Sequence, residues 1–355
     1  MRLNLCQIQL IEYLLPFFIG SSLKQSVLTP LKFFFIFFII FSGIATKAED
    51  CPRGSLDKRF CDRDGDMLAD PPKDPSQWID PYQLVFSYAP VEDPNIYKNA
   101  WKDFIIYMEK ITGKKVVFFP IQSNNAEIEA MRVGKLHIAG FNTGSNPLAV
   151  NCAGFHPFTI MAKEDGSYGY EMELITYPGS GIRSVRDIKG KTLAFTAPTS
   201  NSGFKAPSAI LKEEFNLIAN HDFRPTFSGK HGNSILGVVN KIYPVAAIAN
   251  SVKKRMLKRG SIKKEDLVTI YKSRTFPSTG FGYAYNLKPE LVKKIKKAFQ
   301  TFSWDKPDGT PSSLKAEFSN SKYARFIPID YKDEWQVIRT IDKANAVSYR
   351  CNPLY

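Results

Sequence analysis

Two α/β lobes with a ligand cleft between them are the architecture predicted by this 355-residue sequence. Three observations carry it. From residue 83 onward short apolar runs alternate with segments of helical period, the pattern of strands joined by crossover helices. The alternation restarts near residue 172 and its late elements rejoin the first unit after residue 279, so the chain crosses between two units twice. Clusters of small hydroxyl and amide residues follow several of the strands, where α/β sheets place their ligands.

The chain begins with a segment that is set apart from the fold. Residues 31–44 (LKFFFIFFIIFSGI) form an apolar run led by Lys24 and Lys32, too short to span a bilayer comfortably, with Ala45 and Ala48 after it. That is the pattern of an export signal over about residues 24–48, with the mature chain starting near Glu49. An uncleaved anchor is the alternative, because residues 13–20 form a second apolar patch. Export predicts a periplasmic protein. Removing residues 1–48 takes away four basic residues and one acidic, so the net charge of +14 becomes +11. The exported chain stays strongly basic. In that compartment nucleic acid is not an expected partner, and the charge points to anions in general.

Cys6 lies in the signal, and Cys51, Cys61, Cys152 and Cys351 remain. An even set in an oxidising compartment predicts two disulfides. Four cysteines allow three pairings; closeness in sequence favours Cys51 with Cys61, which leaves Cys152 with Cys351.

Residues 49–82, rich in Asp and Pro, read as an irregular leader. Residues 84–88 then read as a strand. Trp101, Phe104, Ile105, Met108 and Ile111 have helical spacing, and Gly113 stands where a left-handed cap ends that helix. A strand at 116–119, a helix at 126–133 and a strand at 136–140 follow. The second unit has strands at 170–177, 192–197, near 222, near 245 and at 270–276, with a helix from about 206. A run at 281–285 and helices at 289–302 and 332–346 complete the chain. The expected partition is 83–171 plus 279–355 for lobe 1 and 172–278 for lobe 2, joined by a two-strand hinge, with a parallel-rich sheet in each.

The most informative stretch is 195–207 (FTAPTSNSGFKAP). A strand ends, Ser200, Asn201 and Ser202 follow, and a helix opens after Gly203. Unpaired N–H groups at a helix N-terminus favour an anion, and the three side chains add donors. One of these residues would suffice to cap the helix; three and a glycine exceed what a cap requires. A similar turn, 228–234 (SGKHGNS), offers His231 as a neutral donor and Lys230 as a charge. Phe141, Asn142 and Thr143 follow the third strand, where Thr143 or Ser145 could equally cap a helix. Asn250 follows the strand near 245, as a ligand donor or a cap.

Asp62, Asp64, Asp66 and Asp70 lie at alternate positions around Gly65, a spacing that can wrap a hard cation. Lys73 stands where a calcium-binding hand needs a bidentate Glu, so a solvated acidic turn is the competing reading. No cofactor is expected to be required, and structural calcium is the one candidate ion. No phosphate loop, nucleophile elbow or zinc-spaced His pair is present, which points to binding and not to an enzyme. A secreted hydrolase with His231 as base would need a nucleophile or metal nearby.

Residues 199–204 (TSNSGF) resemble the Ser-Thr-Ser-Gly-Phe signature of the phosphate/phosphite/phosphonate-binding proteins of ABC importers. Residues 228–231 (SGKH), 134–142, 185–195 (VRDIKGKTLAF) and 325–330 (RFIPID) are similar to further segments of that family, and the resemblance spans about residues 83–345. It implies a two-lobed periplasmic-binding-protein type II fold. It also implies a monomer that captures a small phosphorus oxyanion by hinge closure, hands it to an ABC permease in the inner membrane and performs no chemistry on it. A periplasmic ligand sensor for a membrane signalling kinase is the alternative that shares the same cleft. By resemblance, Ser200, Asn201 and Ser202 hold the oxyanion with His231, while Asn124 and Phe141 contribute from lobe 1. Asn250 stands where the family often carries an acid, so an ammonium tail on the ligand is expected to bind poorly.

Overall fold

The computed structural model describes residues 51–351; the expected export signal lies outside them. In the leader Cys51 is bonded to Cys61, with their Cα atoms 4.9 Å apart. The leader is irregular, yet Leu56, Phe60 and Leu68 are buried in the main core. Its backbone is paired to the first lobe through Asp57 N to Asn151 O (2.9 Å) and Ile79 N to Asn286 O (2.8 Å).

The first lobe opens with β1 (Gln83–Tyr88), α1 (Pro94–Ala100), α2 (Lys102–Thr112), β2 (Lys115–Phe118), α3 (Asn124–Arg132) and β3 (Ile138–Phe141). Local chemistry sets each boundary. Asp93 accepts from Asn95 N to start α1, and Ser123 accepts from Ala126 N to start α3. Gly113 ends α2 at φ +70°, a conformation that costs glycine little. Helix α4 (Asn146–Ala153) and the nine-residue β4 (Phe155–Lys163) complete this pass. Neither was anticipated, because β4 is buried along almost its whole length and shows no alternation of polar and apolar residues.

The second lobe holds β5 (Tyr170–Thr176), β6 (Thr192–Phe195), α5 (Ala206–Phe215), β7 (Arg224–Phe227), α6 (His231–Val239), β8 (Val245–Ala249), α7 (Asn250–Lys258) and β9 (Val268–Phe276). The chain then returns with β10 (Gly280–Ala284), α8 (Pro289–Thr301), α9 (Ser313–Phe318), β11 (Tyr323–Pro328), α10 (Tyr331–Glu334) and α11 (Gln336–Ala344). The single late helix expected at 332–346 is broken at Trp335. That fully buried residue donates its indole N–H to Thr143 O (2.9 Å), so its anchoring helps fix where α10 gives way to α11.

One sheet has the order β11-β4-β10-β3-β1-β2 and the other β7-β6-β8-β5-β9. The expectation of parallel-rich sheets is corrected. Each sheet has a parallel trio, β3-β1-β2 or β8-β6-β7, extended by antiparallel strands. Four of the extra strands flank the two crossings between sheets, from β4 to β5 and from β9 to β10, and pair antiparallel with their neighbours, while β11 adds to β4 at the edge. In both trios the second strand pairs on one side of the first and the third on the other. That places a topological switch point at the carboxyl ends of β1/β3 and of β6/β8.

The first lobe is filled by aromatic rings. Phe86 meets Trp101 edge-on at 4.9 Å, Phe104 packs on Phe299 at 4.7 Å, and Phe299 packs on Phe326 at 4.9 Å. Truncating one such ring to Ala costs about 3–5 kcal/mol. The C-terminal helix α11 also leans on the second lobe: Asn345 donates to Lys205 O (2.8 Å), and Asp342 pairs with the buried Lys205 ammonium (2.8 Å).

The disulfide Cys152–Cys351 ties the end of this tail to α4, with Cα atoms 5.4 Å apart and the two cysteines 199 positions apart in sequence. Closing so long a loop restricts the unfolded chain far more than the ten-residue span of Cys51–Cys61. Replacing both Cys152 and Cys351 by Ser is expected to lower unfolding free energy by about 2–5 kcal/mol. Chemical denaturation of the two forms measures it, and equal midpoints would show that the tail contributes no such constraint.

Candidate functional site

The loops that leave β1, β3, β6, β7 and β8 at their carboxyl ends meet between the lobes around a cavity of about 50 Å³. At roughly 10–15 Å³ per water that is space for a handful of waters, the size of a small oxyanion with a short substituent. Its walls include Ser200, Asn201, Ser202, His231, Asn142 and Thr143, with Tyr88, Tyr170, Ser251, Arg255, Thr279, Phe318 and Tyr323.

The floor is a π-helical turn, Asn201–Lys205, that runs into α5. Ser200 sets its geometry. Its hydroxyl accepts from Gly203 N (3.0 Å) and its carbonyl from Lys205 N (3.0 Å). The N–H groups of Asn201 and Ser202 stand at the open end, where a helix start has no internal acceptors. Asn201 Oδ1 is buried without a protein partner among the described residues, and its amide reaches Tyr170 Oη at 3.3 Å. Gly203 is required by packing, because a Cβ there would lie 1.8 Å from Thr196 Oγ1.

His231 opens α6 from the turn after β7. Its Nδ1 accepts from Ala249 N (3.1 Å), so the ring proton sits on Nε2, which faces Ser200 Oγ at 3.4 Å. Burial, reinforced by the Arg255 charge, lowers its pKa to about 4. His231 is therefore a neutral N–H donor near pH 7. Ser228 and Asn233 satisfy the same turn internally, and Lys230 reaches out to Gln122 Oε1 (3.0 Å).

The first lobe closes directly over this floor. The carbonyl of Gly144 accepts from Lys205 Nζ (2.8 Å), and a Cβ on Gly144 would lie 2.3 Å from Asn201 N. Asn142 Oδ1 accepts from Gly144 N and Ser145 N, so Asn142 shapes the start of α4, and neither Thr143 nor Ser145 caps it with its side chain. Thr143 Oγ1 donates to Pro277 O (2.7 Å). Asn124 belongs to the seam between lobes and not to the main cavity: it accepts from Asn142 Nδ2 (2.7 Å) and donates to Thr199 Oγ1 (2.8 Å). His231 N also donates to Val91 O across the cleft (3.1 Å).

Two expected site residues are elsewhere. Phe141 is fully buried in the core against Phe155, since β3 turns its ring inward. Asn250 is held outside the cavity by a reciprocal pair with Glu171: its amide donates to Glu171 Oε2 (2.8 Å), and its carbonyl oxygen accepts from Glu171 N (3.1 Å). Conversely, Tyr88, Tyr170, Arg255, Ser278, Thr279 and Tyr323 line the cavity and were not singled out. Tyr88 ends the first parallel strand, a position that the strand-end rule marks. Arg255 lies at i+3 from Val252 and so on the buried face of α7, a position that its lysine-rich surroundings in the sequence do not reveal.

Far from the cleft, Asp62, Asp64 and Asp66 bring carboxylate oxygens within 4.8 Å of one another and could hold a hard cation. Asp70 is turned aside into an ion pair with Arg63 (2.8 Å). Burial, reinforced by the charges of Asp64 and Asp62, raises the pKa of Asp66. Among the described residues no helix is long and apolar enough to cross a membrane.

Comparison with known proteins places these features in context. Residues 86–335 match the family model described as "ABC transporter, phosphonate, periplasmic substrate-binding protein". A phosphate-import protein of Mycolicibacterium smegmatis is 29% identical over 229 residues, covering 62% of this chain and 71% of the relative. A phosphonates-binding periplasmic protein of Escherichia coli is 30% identical over 223 residues, covering 62% and 66%. Among solved structures, a binding-protein component of a Pseudomonas aeruginosa ABC phosphonate transporter superposes with a TM-score of 0.67 at 24% identity, over 77% of this chain and 90% of that one. A Prochlorococcus marinus protein in complex with methylphosphonate gives 0.65 at 16%, over 76% and 100%. These two likenesses establish the type II periplasmic-binding-protein fold.

The depressed pKa of His231 links the site to acid stability. The unfolded chain protonates this ring near pH 6.5 and the folded chain only near 4. The native state thus binds fewer protons, and the stability present above 6.5 is lost as pH falls through about 4. Comparing denaturation midpoints at pH 7 and pH 4, His231→Gln should lose less on acidification than the unaltered chain. An equal loss would mean that His231 does not carry the difference.

Proposed function

Because this chain belongs to the periplasmic substrate-binding proteins of phosphonate ABC transporters, and is extracytoplasmic as that family is, we propose that it captures a small phosphorus oxyanion by lobe closure and delivers it to the permease. One observation carries the reading. Neutral donors, with no carboxylate among them, converge on one side of the cavity: the Asn201 and Ser202 N–H groups, their side chains, Ser200 and the Nε2–H of His231. Aligned N–H dipoles at a helix start favour an anion, and acceptors on that side would oppose it.

In this reading the second lobe binds the oxyanion first, and the first lobe completes the enclosure through Asn142, Thr143 and the seam at Asn124. Hinge segments 164–169 and 277–279 carry the motion between the lobes, within a few residues of the partition 83–171 plus 279–355 and 172–278 that the sequence suggests, with 170–171 moving with lobe 2 as the start of β5. Ligand is retained because it is differentially bound by the closed form. The protein acts as a monomer, after removal of its export signal, and performs no chemistry. Phosphonate leads phosphite and phosphate because the apolar side chains of Met161, Val252 and Phe318 also line the cavity and suit a carbon substituent. The sensor alternative draws no support from the comparisons.

Calorimetric titration of the exported chain with methylphosphonate, phosphite and phosphate tests the reading. Saturable binding of at least one, with methylphosphonate tightest, is expected; no heat with any of them would refute it. Gly144→Ala places a methyl group where the lobes meet. It should weaken the tightest ligand at least tenfold, about 1.4 kcal/mol, while leaving the unfolding midpoint without ligand close to that of the parent. Undiminished affinity would show that the two loops need not approach so closely.

A further inference from the structure

The donor cluster accounts for part of the cavity's lining. Arg255 also lines the cavity, with 3% of its surface exposed and near enough to His231 to lower that ring's pKa, and it is the only charged side chain that does so among the described residues. Its guanidinium is held from several directions. Nε donates to Glu92 Oε2 (3.1 Å), Nη2 donates to Tyr97 Oη (3.1 Å), and the Phe318 ring lies 5.4 Å from Cζ. Nη1 has no acceptor among the described residues. Glu92 is fully engaged: Oε2 takes Arg255 and Tyr97, and Oε1 takes Arg259, which also binds Glu317. Its carboxylate is committed to two arginines and does not line the cavity.

We infer that Arg255 determines specificity for the ligand's tail: the site selects a phosphonate whose short carbon substituent ends in a hydrogen-bond acceptor, a carboxylate above all, and rejects one that ends in an ammonium. The inference rests on the oxyanion reading of the donor cluster. Met161, Val252 and Phe318 provide apolar wall for a one- or two-carbon spacer, and the cavity is too small for a long one. A terminal carboxylate would accept from the free N–H groups of Nη1 in a charge-assisted bond, on a fork already oriented by Glu92 and Tyr97. An ammonium in the same place would meet a like charge in a dry site, with no lining carboxylate to balance it. Asn250, paired with Glu171 outside the cavity, takes no part in this selection.

The test uses three ligands that share a phosphonate head: methylphosphonate, phosphonoacetate and 2-aminoethylphosphonate. In calorimetry the unaltered chain should bind phosphonoacetate at least tenfold more tightly than 2-aminoethylphosphonate, and equal or reversed affinities overturn the inference. Arg255→Gln should weaken phosphonoacetate at least tenfold more than it weakens methylphosphonate. A uniform loss for both would make Arg255 only a brace between lobes. Should Arg255→Gln fail to fold, the ligand ranking of the unaltered chain still decides. Binding of methylphosphonate together with a preference for the ammonium ligand would sink this inference and leave the oxyanion reading standing; no binding of any of the three would sink both.

Discussion

Glu92 is the pivot of the closed arrangement. It leaves the first lobe just beyond β1, is almost fully buried, and accepts from Arg255 of α7 and from Arg259 just after that helix, both in the second lobe. Burial by itself would push this carboxyl toward the neutral form; the two guanidinium groups and Tyr97 outweigh it and hold its pKa low. Removing one partner from a buried ion pair leaves an uncompensated charge and costs about 3–5 kcal/mol. The lobes therefore meet at a junction that is stable only when all its members arrive together. Arg259 extends the junction to Glu317, and Asn320 donates to Lys254 O (2.8 Å), so α7 and the α9 region dock as a unit.

That junction organises the cavity around it. The same α7 that carries Arg255 begins directly after β8, whose Ala249 N–H fixes the tautomer of His231. The turn bearing His231 is pinned to Val91, next to Glu92. On the opposite side Gly144 lies against Asn201, and Lys205 both donates to Gly144 O and pairs with Asp342 of α11. Lys205 is buried deeply enough for its pKa to fall despite the favourable charge of Asp342. Two charged contacts between the lobes, Glu92 with Arg255 and Arg259 and Lys205 with Asp342, thus flank a floor of neutral donors.

Much of this was legible in the residues. The strand, helix and strand at the start of lobe 1 declared themselves through Phe104 and Met108 at helical spacing and through Gly113 as a stop. The Ser200–Gly203 cradle could be read because several donors and a glycine follow a strand in immediate succession, and the two disulfide pairs followed from compartment and proximity. What was misread has a common cause. Phe141 and Asn250 both follow the strand-end rule in sequence, yet one side chain turns into the core and the other pairs with Glu171, a residue 79 positions earlier. Strand β4 escaped notice because a strand buried on both faces loses its alternation.

The sequence alone determined most of the strands and helices, the donor-rich turn at Ser200–Gly203, and the double crossing between two units. Those features depend on local propensity, periodicity and capping, which are written within a few residues of one another. Tertiary structure alone decided the order of strands, the role of Asn124 as a seam contact, and the burial of Arg255 beside a cleft in the midst of a lysine-rich helix. Each of these depends on a partner far away in the chain, Thr199 for Asn124 and Glu92 for Arg255. A charged side chain reads as solvated until the fold supplies the carboxylate that permits its burial.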